Sequence, residues 1–384
     1  MAIKSVSSVT PIVAVIVTAV LASGAFGCGA PNAEPADTVV AAESAATEAR
    51  GVPTFEVDAS WPTLPNDWVL GQVASVTVDR RDHVWVLHRP RTVDEGEEAN
   101  AAPPVLEFDT DGAFINAWGG PAPDVDWPAN EHGIHADPQG HLWVGGNGGD
   151  PESDDMLLKL TNTGDRLLQI GGRGVSGGNT DTDNLRRPAE SFVHEASNEV
   201  FVADGYGNRR VIVLDADTGA FKRLWGAFGN EPLDTPLDTP PDDEQGPLQF
   251  GTVHGVEVAN DGRVYVADRN NSRVQVFTLD GTYLTQGFVN RGADSASTVA
   301  GIAFSPDPEQ QFLYIADQGN SRIHVVDRET LEVLDSFGSA GEAPGAFQAL
   351  HHIASDSQGN LYTAEAQRGR RAQKFTFTGI ASRD

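Results

Sequence analysis

One cysteine, Cys28, stands in a chain of 384 residues, so no disulfide can close within it. Lysine is almost as scarce. Lys4, Lys159, Lys222 and Lys374 leave 22 of the 26 basic residues to arginine. Against 55 acidic residues the net charge is −29, which argues against a nucleic-acid binder, because phosphate contacts need a basic surface. The acidity reads as a device for staying soluble. Long apolar runs are few. Residues 12–26 form one, too short and wrongly flanked for a spanning helix.

That run follows Lys4 and leads into "AFGC", the grammar of a secretory signal. Residues 1–28 are expected to be a signal peptide, with Cys28 at the lipidated position of a bacterial lipoprotein. Two acyl chains would hold the protein at a bacterial membrane without a spanning helix. The alternative is ordinary cleavage and a secreted or periplasmic chain. Either location is extracytoplasmic. Residues 29–52, rich in Ala, Pro, Glu and Thr and without an apolar period, predict a disordered tether. Residues 53–384 remain for one large β domain.

A unit of the form small-Gly-apolar-x-apolar-x-x-x-Gly-x-apolar-aromatic-Val-x-Asp recurs along that domain. It is plainest in "HGVEVANDGRVYVAD" (254–268) and "HGIHADPQGHLWVGG" (132–146). "ASVTVDRRDHVWVLH" (74–88) and "HHIASDSQGNLYTAE" (351–365) repeat it, and looser copies run from 189 and from 300. Period-2 alternation on both sides of a turn such as Asn260-Asp261-Gly262 predicts two antiparallel strands joined by a tight hairpin. Stretches such as "SRVQVFTL" and "TYLTQGFV" add a third and a fourth, and four short strands make one propeller blade. Starts at Ala74, His132, Ala189, His254, Ala300 and His351 give six units, so the expected fold is an all-β six-bladed β-propeller. The motif "ADxxNSRV" resembles the NHL repeat. Insertions at 90–102, 174–187 and 231–247 are read as surface loops.

The first position of each unit alternates histidine with alanine. His132, His254 and His351 each precede a turn glycine by eight positions (Gly140, Gly262, Gly359). Equivalent positions on alternate blades are related by about 120° around the channel. Three imidazoles would converge there, the arrangement of a catalytic zinc site with an open position. The remaining histidines read mostly as strand-surface or turn residues. At the end of the second strand, at the same end of the channel, stand Arg89 and Arg269 in matching positions. The third copy of that segment, "ADGYGNRRV" (203–211), carries one extra residue, which presents Tyr206 between Gly205 and Gly207. The glycines are expected to supply backbone freedom. Guanidiniums hold oxyanions such as carboxylates, and a phenol beside a cation can serve as a base. Asp204, Asp268 and Asp317 read as structural, capturing loop N–H groups. Arg209, Arg210, Arg273 and Arg322 read as repeat residues packing between blades.

These segments, in this order, resemble the peptidyl-α-hydroxyglycine α-amidating lyases, zinc propellers that complete C-terminal peptide amidation. The likeness rests on "GQVASVTVDRRDHVWVLHR", "EHGIHADPQGHLWV", "VFVADGYGNRRV", "VHGVEVANDGRVYVADRNNSRVQVF" and "LHHIASDSQGNLYTAE". It implies zinc on His132, His254 and His351, with Tyr206, Arg89 and Arg269 as the active-site residues. It also implies a carbinolamide substrate, a small molecule or peptide C-terminus, cleaved to an amide and glyoxylate. Two departures matter. The family's disulfides are absent, and His352 stands where the family has an aspartate that helps hold calcium, which puts calcium in doubt. No copper monooxygenase domain lies within these 384 residues, so the substrate would come from elsewhere. Two other readings stay open: a zinc propeller acting on another small carboxylated substrate, and a non-catalytic binding module. A monomer is expected, meeting a membrane only through the lipid anchor.

Overall fold

The computed structural model describes residues 51–235, 244–292 and 297–382. The expected signal peptide with Cys28, and the tether as far as residue 50, lie outside them.

The described residues form 24 strands, numbered here in chain order, in six four-stranded sheets. The innermost strands are β2 (Gln72–Val78), β6 (Glu131–Ala136), β10 (Glu190–His194), β14 (Val253–Val258), β18 (Gly301–Phe304) and β22 (Leu350–Ser355). They touch one another in that order, and β22 meets β2 again. Six blades therefore surround a central channel, as the repeats predict. Five sheets are antiparallel meanders of consecutive strands. The sixth blade joins the two ends of the domain: β1 (Val52–Asp58) pairs with β24 (Arg371–Ala381), from Val52↔Ala381 to Asp58↔Lys374.

Each blade is too thin to hide its own apolar faces, and the core is divided accordingly. Six hydrophobic clusters lie between neighbouring blades. One sets Phe201 and Val213 of blade three against Val256 and Val264 of blade four. Another sets Val76, Val86 and Leu106 of blade one against Tyr362 and Ala364 of blade six. A fully buried Val, Leu or Phe contributes about 1.5–3 kcal/mol, and here each contribution needs two blades. The aromatic position of the repeat is buried with its polar tip satisfied: Trp85 and Trp143 donate to Asp79 and Asp137, each at 3.1 Å. The turn glycines adopt left-handed backbone (Gly140 φ 85, Gly262 φ 79, Gly359 φ 88), which explains glycine at that step of the unit.

The insertion at 90–102 does more than cover surface. The chain leaving it closes over His88, which is wholly buried, accepting the Gly71 N–H at 3.1 Å and donating to the Pro103 carbonyl at 3.0 Å. Burial lowers its pKa to about 4. The expectation of a strand-surface histidine fails here because the lid over it comes from a segment whose sequence shows no strand.

Candidate metal centre

His132, His254 and His351 meet in the channel. Their ring centroids are 4.9, 4.8 and 4.8 Å apart, a nearly equilateral triangle. The alternating alanines have a role of their own. His132 Nδ1 lies 2.7 Å from the Ala189 carbonyl, His254 Nδ1 2.5 Å from that of Ala300, and His351 Nδ1 2.6 Å from that of Ala74. Each histidine is clasped by the alanine at its own repeat position in the next blade. A carbonyl can only accept, so every Nδ1 carries the hydrogen and every Nε2 keeps a lone pair. The ladder register slips at this position in β2, β6, β14 and β22, the bulge that re-aims a side chain out of the sheet. Burial holds all three imidazoles well below their ordinary pKa, with His352, Arg89 and Arg269 adding repulsion. They are neutral donors.

Tyr206 comes to the same point. Its hydroxyl lies 2.9 Å from His132 Nε2 and 3.0 Å from His254 Nε2, and Arg269 Nη1 donates to it at 3.0 Å. One phenol proton cannot serve two imidazole lone pairs, so at least one acceptor faces an acceptor. A cation among the three Nε2 atoms removes that conflict, and neutral imidazoles suit a borderline divalent ion. The described residues thus fit a metal.

The extra residue of "ADGYGNRRV" is confined to the tyrosine. Asn208 and Arg210 still return to Asp204, each at 2.8 Å, as Asn271 and Arg273 return to Asp268 at 2.7 and 2.8 Å. Asp204, Asp268 and Asp317 also accept the N–H groups of Arg186, Gly251 and Asn320. Arg210 and Arg273 are the fully buried repeat arginines, whereas Arg209 and Arg322 are only partly covered. Gly205 and Gly207 are not in left-handed backbone. They are small for want of room. A Cβ on Gly205 would fall 2.0 Å from the Val253 carbonyl oxygen, and one on Gly207 2.2 Å from Arg186 Cγ. The loop carrying Tyr206 is thus pressed against the strand carrying His254.

The two arginines, alike in sequence, differ in place. Arg89 is 7% exposed, donates from Nε to the Glu131 carbonyl at 2.8 Å and from Nη1 to Gln72 at 2.7 Å. Burial, then Arg91, lowers its pKa. Arg269 is half-buried, lies over the Tyr206 ring at 5.2 Å, and holds the phenol oxygen.

Sequence reading missed a second ring. The residue after each unit start is Ser75, Gly133, Glu190, Gly255, Gly301 or His352. Four are small; the two large ones sit on blades three and six, opposite each other. They meet across the channel, His352 Nδ1 lying 3.2 Å from Glu190 Oε1. Gly255 makes room for this, since a Cβ there would lie 2.8 Å from Glu190 Oε2. The signal lay in lining up the second repeat position as well as the first.

The NHL repeat matches residues 250–277. Over 324 residues, 81% of each chain, the protein is 28% identical to NHL repeat-containing protein 3 of Homo sapiens. It is 25% identical over 355 residues to peptidylglycine alpha-amidating monooxygenase of Rattus norvegicus, covering 84% of this chain and 32% of that one. A probable peptidyl-alpha-hydroxyglycine alpha-amidating lyase of Caenorhabditis elegans is 25% identical over 222 residues, 54% of this chain and 56% of the other. The chain is a six-bladed propeller that carries an NHL repeat and resembles the amidating lyases.

Proposed function

We propose that this propeller is a zinc-dependent lyase that cleaves the N–C bond of a carbinolamide, giving an amide and glyoxylate or an analogue. The observation that carries the reading is the convergence of three clasped, neutral histidines with Tyr206 and Arg269. When bound, zinc supplies Lewis acidity toward the substrate hydroxyl. Tyr206 takes the hydroxyl proton. Acting as phenolate, Tyr206 holds that proton while the carbon–oxygen double bond forms and the C–N bond breaks, and then passes it to the amide nitrogen, which keeps the departing electron pair. Arg269 holds the phenol oxygen with one amino group and offers the other to the substrate carboxylate. Arg89, fixed by Glu131 and Gln72, supports the wall of the mouth and adds positive charge where negative charge develops.

Zinc-loaded protein is expected to release glyoxylate from α-hydroxyhippurate. No turnover would overturn the lyase reading, and a zinc content indifferent to His132→Ala and His254→Ala would favour a binding module. Outside the propeller, we propose that Cys28 carries lipid, tethering a monomer at the outer side of a bacterial membrane. Labelling by a radioactive fatty acid, lost in Cys28→Ser, checks this.

A further inference from the structure

Within the metal reading above, on which it rests, we propose that His352 is a fourth protein ligand, reaching the ion from the channel side with Glu190 behind it.

His352 is 0% exposed, yet its Nε2 is a buried nitrogen with no hydrogen-bond partner. A buried polar atom left unpaired costs about 1–3 kcal/mol, so this atom calls for an explanation. Its ring lies 5.5 Å from that of His132, 5.3 Å from His254 and 4.7 Å from His351. One ligand atom from each of the four histidines falls within 4.8 Å of the others. Neighbours on a strand ordinarily face opposite ways. Here the ladder slips between Leu350 and His352, and the bulge turns both His351 and His352 into the channel.

The other nitrogen is accounted for. Nδ1 donates to Glu190 Oε1 at 3.2 Å, while Oε2 of the same carboxyl takes the Val256 N–H at 3.1 Å. Both carboxyl oxygens are engaged. Glu190 is thereby fixed, and it fixes the imidazole with Nε2 directed away from it. A histidine whose far nitrogen is held by a carboxylate is the usual form of a metal-bound imidazole. Tyr206 and Arg269 come from second-strand ends, at the mouth; His352 comes from the ring beneath. Four imidazoles on the protein side leave the mouth side, facing Tyr206, for substrate.

X-ray absorption on the zinc-loaded full chain is expected to count four imidazoles in wild type and three in His352→Asn. Asparagine keeps a donor near the Nδ1 position for Glu190 and removes only the Nε2 atom. In chelator competition, His352→Asn and Glu190→Gln are expected to bind zinc about 10–100-fold more weakly than wild type. Denaturation of the metal-free variants, expected to match wild type, separates lost ligation from lost folding. Three imidazoles in wild type, with the affinity of His352→Asn within about threefold of it, overturns the fourth ligand and leaves the three-histidine centre standing. Wild type that holds no zinc overturns both.

Discussion

Arg210 offers the sharpest test of how the Tyr206 loop is held. Its side chain is 0% exposed and pairs with an equally buried Asp204 at 2.8 Å. Its remaining donors meet the carbonyls of Asn179 at 2.9 Å, Asp181 at 2.5 Å and Asn184 at 2.7 Å. Arg210→Met leaves the Asp204 carboxylate buried with only the Arg186 N–H and the Asn208 amide, and strands three carbonyls. Breaking a buried pair from one side costs about 3–5 kcal/mol. The double variant Asp204→Leu/Arg210→Met removes both charges and is expected to recover part of that loss. Urea denaturation of wild type, both single variants and the double variant gives the coupling energy. The loop from Asp204 to Arg210 frames Tyr206, so glyoxylate release should fall further than stability explains. A loss below about 1 kcal/mol for Arg210→Met would refute the argument.

Tyr206→Phe keeps the ring and removes the oxygen shared by His132, His254 and Arg269; turnover of α-hydroxyhippurate should fall about 10²–10⁴-fold, with the denaturation midpoint unchanged. Gly205→Ala drives a Cβ into the Val253 backbone; overpacking should destabilise by about 1–3 kcal/mol and weaken zinc binding by shifting the His254 strand. Burial lowers the pKa of His88 and His135 to about 4 each, so both are neutral in the fold at pH values where the unfolded chain, with pKa of about 6.5, binds protons. Stability should therefore fall as pH drops from about 6.5 to about 4, and His88→Gln should make denaturation less pH-sensitive by about 1.4 kcal/mol per unit. Stripping zinc with a chelator should lower the thermal midpoint, by an amount that rises with free zinc in the control.

The fold was legible because its period is written in chemistry that tolerates few substitutes: a left-handed turn glycine, an aromatic that reaches the turn aspartate, alternation with period 2. The three histidines were legible for the same reason, as departures at one step of a strict repeat. What stayed hidden was whatever depends on the neighbouring blade. The Ala189, Ala300 and Ala74 carbonyls leave no trace in a side chain. His88 is covered by the irregular chain leaving an insertion, and the unequal settings of Arg89 and Arg269 are fixed by Gln72, Glu131 and Tyr206, partners distant in sequence. The reason for Gly205 and Gly207 was misread because crowding by Val253 and Arg186 is a fact of three dimensions.

The clasps have a mechanical consequence. Apart from the channel, where His352 meets Glu190 of the opposite blade, the innermost strands of the blades pack mainly against their two neighbours, so the ring is held largely in series and can in principle open at its weakest seam. Histidines from blades two, four and six, each gripped by an alanine carbonyl of blade three, five or one, connect all six members to one point. An ion there acts as the hub of a spoked wheel. Loads on any seam are then shared around the whole rim, and amide exchange in the six innermost strands should slow together on metal binding, not only in the three that donate imidazoles.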